Sequence, residues 1–203
     1  MNDQYFTADP HSASRPTECA FAYRGAQLRF ETDSGVFSRG ELDEGSRILL
    51  DALPEVKGTA LDLGCGWGAV GIALAAANAG ADVTMADVNR RALSLAEKNA
   101  ERNRVACRTV ESDGFSALQR DEFDFIVTNP PIRAGKQVIY RLFAECAQHL
   151  KEGGALYLVI RKQQGAESAM RYLQTLFGQV ERVSREKGFW VLKAMQPLEK
   201  ETE

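Results

Sequence analysis

From Gly58 onward, short runs of apolar and β-branched residues alternate with stretches whose apolar positions recur about every 3.6 residues. TALDL (59–63), DVTMAD (82–87), VACRTVES (105–112), FDFIVTN (123–129) and GALYLVIR (154–161) read as strands. The clearest helix covers 137–150, where Val138, Ile139, Leu142, Phe143, Cys146, Ala147 and Leu150 fall on one face. Strands joined through helical crossovers predict a parallel sheet covered on both sides. The end of the chain breaks this rhythm. QVERVSRE (179–186) and FWVLKA (189–194) are separated only by Lys187-Gly188, too short for a parallel crossover, so they should pair antiparallel. Ahead of Gly58, two apolar runs flank Arg24-Gly25 as a β-hairpin would, and a helix from about Asp43 to Leu53 stops at Pro54. The expected class is a doubly wound α/β fold with a mostly parallel seven-stranded sheet and an antiparallel last strand. The expected division is an N-terminal extension with a β-hairpin (1–45), a main domain (46–195) and a frayed tail (196–203).

Composition narrows the class without fixing the chemistry. A chain of 203 residues supports one well-buried core, and no run approaches the ~18 apolar residues of a membrane span. The start, MNDQYFTADPHSASRP, has neither a basic nor an apolar leader region, so a cytoplasmic location is expected. Cys19, Cys65, Cys107 and Cys146 lack the paired spacing of a zinc or redox motif and read as reduced thiols. With only His11 and His149 in the chain, no metal site is expected and hydrolytic triads are poorly supported. His149, near the end of the 137–150 helix, suits the helix dipole. A net charge of −3 argues neither for nor against nucleic acid.

The chemistry concentrates in LDLGCGWGAVG (61–71), which follows a strand and opens an alanine-rich helix. Gly64, Gly66 and Gly68 allow a tight turn and close approach of a ligand to the unpaired N–H groups of a helix start. Asp87, about twenty residues on, ends the next strand, where a carboxylate can accept both hydroxyls of a ribose. Gly64-x-Gly66-x-x-Ala69 also satisfies the dinucleotide fingerprint, so NAD is a competing ligand. Asp62 tilts the balance toward S-adenosylmethionine, because a carboxylate beside the loop can fix it or meet a cationic ligand but repels a pyrophosphate. In ESDGF (111–115), Asp113 can bond an adenine amino group; Phe115 either packs on that ring or fills the core.

Asp62-x-Gly64-x-Gly66-x-Gly68, Asp87, Asp113 and Asn129-Pro130-Pro131-Ile132 together resemble the serial motifs of class I S-adenosylmethionine-dependent methyltransferases, which have a Rossmann-like sheet with an antiparallel finish. More narrowly, FSRGELDEGSRILLDAL, NPPIRAGK and IRKQQGAESAM are similar to the small-domain methyltransferases related to RsmC, which methylate guanine N2 of 16S ribosomal RNA. Enzymes of that type carry two such domains in tandem, whereas this chain has length for one; a second protomer would be one replacement. The resemblance implies a cofactor site at Asp62, Gly64, Cys65, Gly66, Gly68, Asp87, Val88, Asp113, Gly114, Phe115 and Asn129, and ribosomal RNA or the small subunit as partner.

The resemblance also explains the paired prolines. An exocyclic base amine is a poor nucleophile, because its lone pair is delocalised into the ring. Accepting both of its N–H bonds favours a pyramidal nitrogen; the Asn129 side-chain oxygen and the Pro130 carbonyl are the expected acceptors. Consecutive prolines make the turn rigid and donate nothing to a ladder. Attack on an activated sulfonium needs neither a metal nor a covalent nucleophile. Ile132 would pack on the base, where the family resemblance links aromatic residues to adenine or glutamine and Ile to guanine. Phe37, Arg39, Arg133, Lys136, Arg161 and Lys162 are the expected contacts to RNA. Adenine N6 or protein glutamine as acceptor, and an RNA-binding module without turnover, are the alternatives.

Overall fold

The computed structural model describes residues 13–119 and 121–198, so His11 and the last five residues of the expected tail lie outside the described residues. The N-terminal hairpin pairs β1 (Thr17–Tyr23) with β2 (Ala26–Thr32). Arg24 and Gly25 both take positive φ, 45° and 86°, as the two-residue turn that matches strand twist requires. Alternation puts Phe21, Tyr23, Leu28 and Phe30 on the buried face, with Phe21 stacked on Phe30 and Phe30 edge-on to Trp67. Backbone groups on the free edge of β2 have side-chain partners. Asn99 donates to the Glu31 carbonyl and accepts from its N–H, and Asn103 treats Arg29 the same way, so two amides one helical turn apart stand in for a third strand.

Helix α1 (Glu44–Ala52) starts at the N-cap Asp43, whose carboxylate accepts the Gly45 and Ser46 N–H groups, and it ends before Pro54. The alternation then runs β3 (Gly58–Leu63), α2 (Ala69–Ala77), β4 (Ala81–Asp87), α3 (Arg90–Arg102), β5 (Cys107–Glu111), β6 (Phe123–Thr128), α4 (Lys136–Gln148), β7 (Leu150–Arg161) and α5 (Ala166–Leu173). It closes with β8 (Phe177–Glu186) and β9 (Phe189–Pro197). Sheet order is β5-β4-β3-β6-β7-β9-β8, all neighbours parallel except β9, which lies antiparallel between β7 and β8. The expected seven-stranded sheet and its antiparallel finish are therefore present.

Because both faces are covered, successive strand residues enter different cores. Ala155, Tyr157, Val159, Phe189 and Val191 join α1, α2, α3 and the hairpin on one side. Leu156, Leu158, Ile160, Trp190 and Leu192 join α4 and α5 on the other. The hairpin thus shares a core with the sheet. Two boundaries differ from the sequence reading. Strand β9 runs on to Pro197, paired with Phe177, and the Leu198 N–H reaches the Leu176 carbonyl, so the start of the expected frayed tail is held by β8. Helix α4 stops at Gln148, two residues early, because Leu150 already pairs with Phe123 in β7.

Candidate active site

Strands β3 and β4 end side by side, and β6 joins the opposite edge of β3, so the chain's winding reverses between β3 and β6. A crevice opens at the carboxyl ends of strands at such a reversal. It holds a cavity of about 330 Å³. Ten of the residues singled out from the sequence line it: Phe37, Gly64, Gly66, Asp87, Val88, Asp113, Gly114, Asn129, Pro130 and Pro131.

The glycines divide their work. Gly64 and Gly66 have φ of +75° and +55°, and a Cβ on either would point into open space, so their task is the backbone turn and an unobstructed wall. A Cβ on Gly68 would come within 2.9 Å of Ile72 Cδ1 and 3.2 Å of Ala96 Cβ, so this glycine packs α2 against α3 and does not face the cavity. The loop is pinned from β4: Gly64 and Cys65 N–H groups bond the Ala86 carbonyl, and the Gly66 N–H bonds Asp87 Oδ2 at 2.8 Å. Asp87 Oδ1 accepts the Asn89 N–H at 2.8 Å. Burial raises the Asp87 pKa, and the N–H groups of Asn89, Gly66 and Val88 oppose the rise.

Asp62 and Cys65 lie behind this wall. They border a smaller hollow of about 40 Å³ that shares Phe37, Gly64, Gly66 and Asn129 with the main cavity. Asp62 Oδ2 accepts the Gly71 N–H at 2.8 Å, tying β3 to the first turn of α2. Of the two roles expected for it, fixing the loop is the one this bond provides. Burial pushes the Asp62 carboxyl up to about 7, aided by the Asp87 charge and opposed by the Gly71 N–H. A carboxyl that holds its proton more tightly folded than unfolded loses stability as pH rises from its unfolded value of about 4 through 7. Asp62→Asn should therefore gain stability relative to the parent by about 2–3 kcal/mol between pH 5 and pH 8. Denaturant titrations of both proteins at the two pH values check this; parallel pH profiles would contradict it.

Other expectations are corrected by the packing. Phe115 is buried in the α4 side of the core, stacked on His149 at 4.3 Å, and is not part of the cavity wall. His149 is fixed by this stack and by its Nδ1 lying 2.8 Å from the Asp121 carbonyl oxygen, contacts that a dipole argument alone did not supply. Ile132 opens a 3-10 turn (Ile132–Ala134) and packs half-buried against the same core, so Ala134 and Val138 line the cavity in its place. Asp113 is ion-paired with Arg141, which also approaches Glu145.

Arg39, Arg133, Lys136, Arg161 and Lys162 are exposed and none lines the cavity. Arg39 bonds the Thr17 hydroxyl, Lys136 lies over Tyr140, Arg161 lies over Phe189 at 4.4 Å, and Lys162 pairs with Glu167. Arg133 and Lys136 follow β6, and Arg161 ends and Lys162 follows its parallel neighbour β7, so all four sit toward the carboxyl ends of these strands. The loop carrying Phe37 is held over the glycines by the Trp67 indole N–H, which donates to the Phe37 carbonyl, and by Asn89, which donates to Gly35.

The most informative side chain is Asn129. Its Nδ2 donates to both oxygens of Asp43, at 3.2 and 3.3 Å, and lies 3.1 Å from Ser46 Oγ. A carboxylate only accepts, so the amide nitrogen must face it, and Oδ1 is left as the acceptor available to a ligand. Neither Asp43 nor Ser46 was singled out from the sequence as a site residue. The family model for the methyltransferase small domain matches positions 27–193 of this chain. The chain belongs to the methyltransferase small domain family. It is 42 % identical over 198 residues to the Bacillus subtilis protein YbxB, covering 96 % of this chain and 98 % of that one. It is 33 % identical to the ribosomal RNA small subunit methyltransferase C of Vibrio cholerae, covering 86 % of this chain but 52 % of that enzyme. A solved Thermus thermophilus RsmC, a 16S rRNA N2 G1207 methyltransferase in complex with AdoMet and guanosine, superposes with a TM-score of 0.82 at 30 % identity, covering 92 % of this chain and 52 % of that one. The chain therefore spans about half the length of these RsmC relatives. Among the described residues, no group of three or more His, Cys, Asp or Glu could hold a metal ion, and no helix is long and apolar enough to cross a membrane.

Proposed function

We propose that this member of the methyltransferase small domain family is an S-adenosylmethionine-dependent N-methyltransferase whose acceptor is an exocyclic amine, guanine N2 of small-subunit ribosomal RNA. The observation that carries the reading is the Asn129 amide, held at the wall of the cavity with its oxygen as the available acceptor, on the same cavity as Asp87 and the glycine loop. The cavity fits the cofactor by its chemistry: a carboxylate at the end of β4 for ribose hydroxyls, backbone turns at Gly64 and Gly66 without side chains, Asp113 for an adenine amine, and Val88 and Leu142 as apolar walls. When bound, S-adenosylmethionine supplies a methyl group on a sulfonium leaving group.

The chain's own task is to present the amine. Asn129 Oδ1 and the Pro130 carbonyl accept its two N–H bonds, which localises the lone pair on nitrogen and turns it toward the methyl donor. The two prolines keep those acceptors in place before substrate arrives, so little reorganisation is needed at the moment of transfer. Arg133, Lys136, Arg161 and Lys162, exposed toward the carboxyl ends of β6 and β7, hold RNA phosphates while the base enters the site. The choice of guanine rests on the RsmC relatives, since Ile132 packs into the core. Such a substrate places the protein in the cytoplasm.

Incubation with labelled S-adenosylmethionine and unmodified small-subunit ribosomal RNA or particles, followed by mass spectrometry of the nucleosides, tests the proposal. N2-methylguanosine is expected. N6-methyladenosine would move the acceptor to adenine, and cofactor binding without any RNA methylation would overturn the substrate assignment.

A further inference from the structure

The Asp43 carboxylate does two things at once. It caps α1 through the Gly45 and Ser46 N–H groups, and it receives the Asn129 amide from the end of β6, 86 residues later. Capping alone does not require a carboxylate, because Ser, Thr or Asn performs it about as well. The surrounding packing is fitted to the second task. A Cβ on Gly45 would lie 3.0 Å from Phe189 Cε1, 3.1 Å from Asp43 Oδ1 and 3.5 Å from Asn129 Nδ2, so the helix start reaches the amide at this distance because position 45 carries no side chain. The neighbouring Glu44 is tied by Lys187 at 3.0 Å to the β8–β9 turn, which holds the first turn of α1 from the other side.

An Asn side chain has two orientations of nearly equal shape that exchange oxygen and nitrogen, and only hydrogen bonding separates them. One orientation offers the substrate an acceptor; the other offers a donor, which repels an amine N–H. Flipping Asn129 would set its oxygen against two carboxylate oxygens. The Ser46 hydroxyl can donate or accept, so it supports either orientation and cannot make the choice. Asp43 can.

We infer that Asp43 is a positioning residue for methyl transfer: its acceptor-only carboxylate keeps the Asn129 amide oxygen turned to the substrate, and the Gly45-Ser46 start of α1 brings that carboxylate within reach. The inference rests on the reading that Asn129 accepts the substrate amine. Asp43→Asn is the decisive variant: it conserves shape and cap, and with its Oδ1 kept on the Gly45 and Ser46 N–H groups its Nδ2 donor faces Asn129 and favours the flipped orientation, which turns the amide nitrogen to the substrate. Single-turnover methylation of the RNA substrate should fall about 10- to 100-fold, the scale of a misaligned catalytic acceptor. The KM for RNA, the affinity for S-adenosylmethionine by calorimetry and the melting temperature should remain close to those of the parent. In an Asn129→Ala background the same change should have no further effect on the residual rate, since the amide it orients is gone. A rate within twofold of the parent would overturn the inference. So would an equal loss in the Asn129→Ala background, or a loss that tracks melting temperature, either of which leaves Asp43 as a cap alone. If Asn129→Ala itself retained full activity, the proposed role of Asn129 would fail first and take the inference with it; a failure confined to Asp43→Asn leaves that role standing.

Discussion

Asn129→Ala is expected to lower methyl transfer by about 10²–10³ or more while S-adenosylmethionine affinity stays close to that of the parent. The size of the effect follows from what the side chain does on the proposed reading. An aromatic amine donates its lone pair into the ring, and the enzyme must draw it back onto nitrogen. One acceptor, the Pro130 carbonyl, remains in the variant; a single acceptor leaves the second N–H bond unpaired and the amine planar. Alanine at 129 also releases Asp43 and Ser46, which lose the amide that both contact, so any water entering the space would be positioned by the carboxylate and not by the substrate. The fold should survive, because Asn129 lies beyond the end of β6 and the neighbouring Thr128 hydroxyl, bonded to the Leu63 carbonyl at 2.8 Å, anchors the strand without it. Single-turnover assays with radiolabelled cofactor separate the two quantities. Full activity in the variant would exclude the amide as an acceptor and move the chemistry elsewhere in the cavity.

What could be read from the sequence, and what could not, divides along a physical line. Local signals carried well. Strand runs such as Ala155–Ile160 are apolar at every position, which is what burial on both faces produces, and Arg24-Gly25 forms the turn its residue types favour. Asp43 was visible as the start of a helix because capping is a contact between residues two and three apart. Its contact with Asn129 was not visible, because no local pattern reports a pairing across 86 residues. The same holds for Asn99 and Asn103, whose spacing suits a helix face while their role as a strand substitute depends on where the hairpin lands. Phe115 and Ile132 were misplaced for a related reason: both follow motif residues that line the cavity, but a turn reverses side-chain direction, and each finds apolar neighbours in the core under α4. Exposed cations gave the weakest signal, since sequence shows their charge and not their distance from the cavity.

Asp87→Ala should weaken S-adenosylmethionine binding by about 1–3 kcal/mol, roughly 5- to 150-fold, from the loss of ribose hydrogen bonds in a site that the cofactor itself covers. On the proposed reading its carboxylate is shared between ligand and scaffold. One oxygen holds the Gly66 N–H and the other the Asn89 N–H, so the same two oxygens that would accept the ribose hydroxyls also anchor the loop. Removing it therefore takes away the acceptor of the Gly66 and Asn89 N–H groups and loosens the turn that shapes the cavity wall, and some lost affinity would come from the loop and not from the ribose. A cofactor analogue lacking the ribose hydroxyls separates the two contributions. The parent should discriminate strongly against the analogue, because its carboxylate, covered by the bound analogue, would be left without those donors. The variant should discriminate little, having no carboxylate to leave unpaired. If calorimetry found the same discrimination in both proteins, Asp87 would act on the loop alone and the ribose would be recognised by other groups; unchanged affinity for the intact cofactor would remove Asp87 from the binding site. The coupling between residue and hydroxyl, more than the loss in affinity, decides whether the end of β4 reads the sugar.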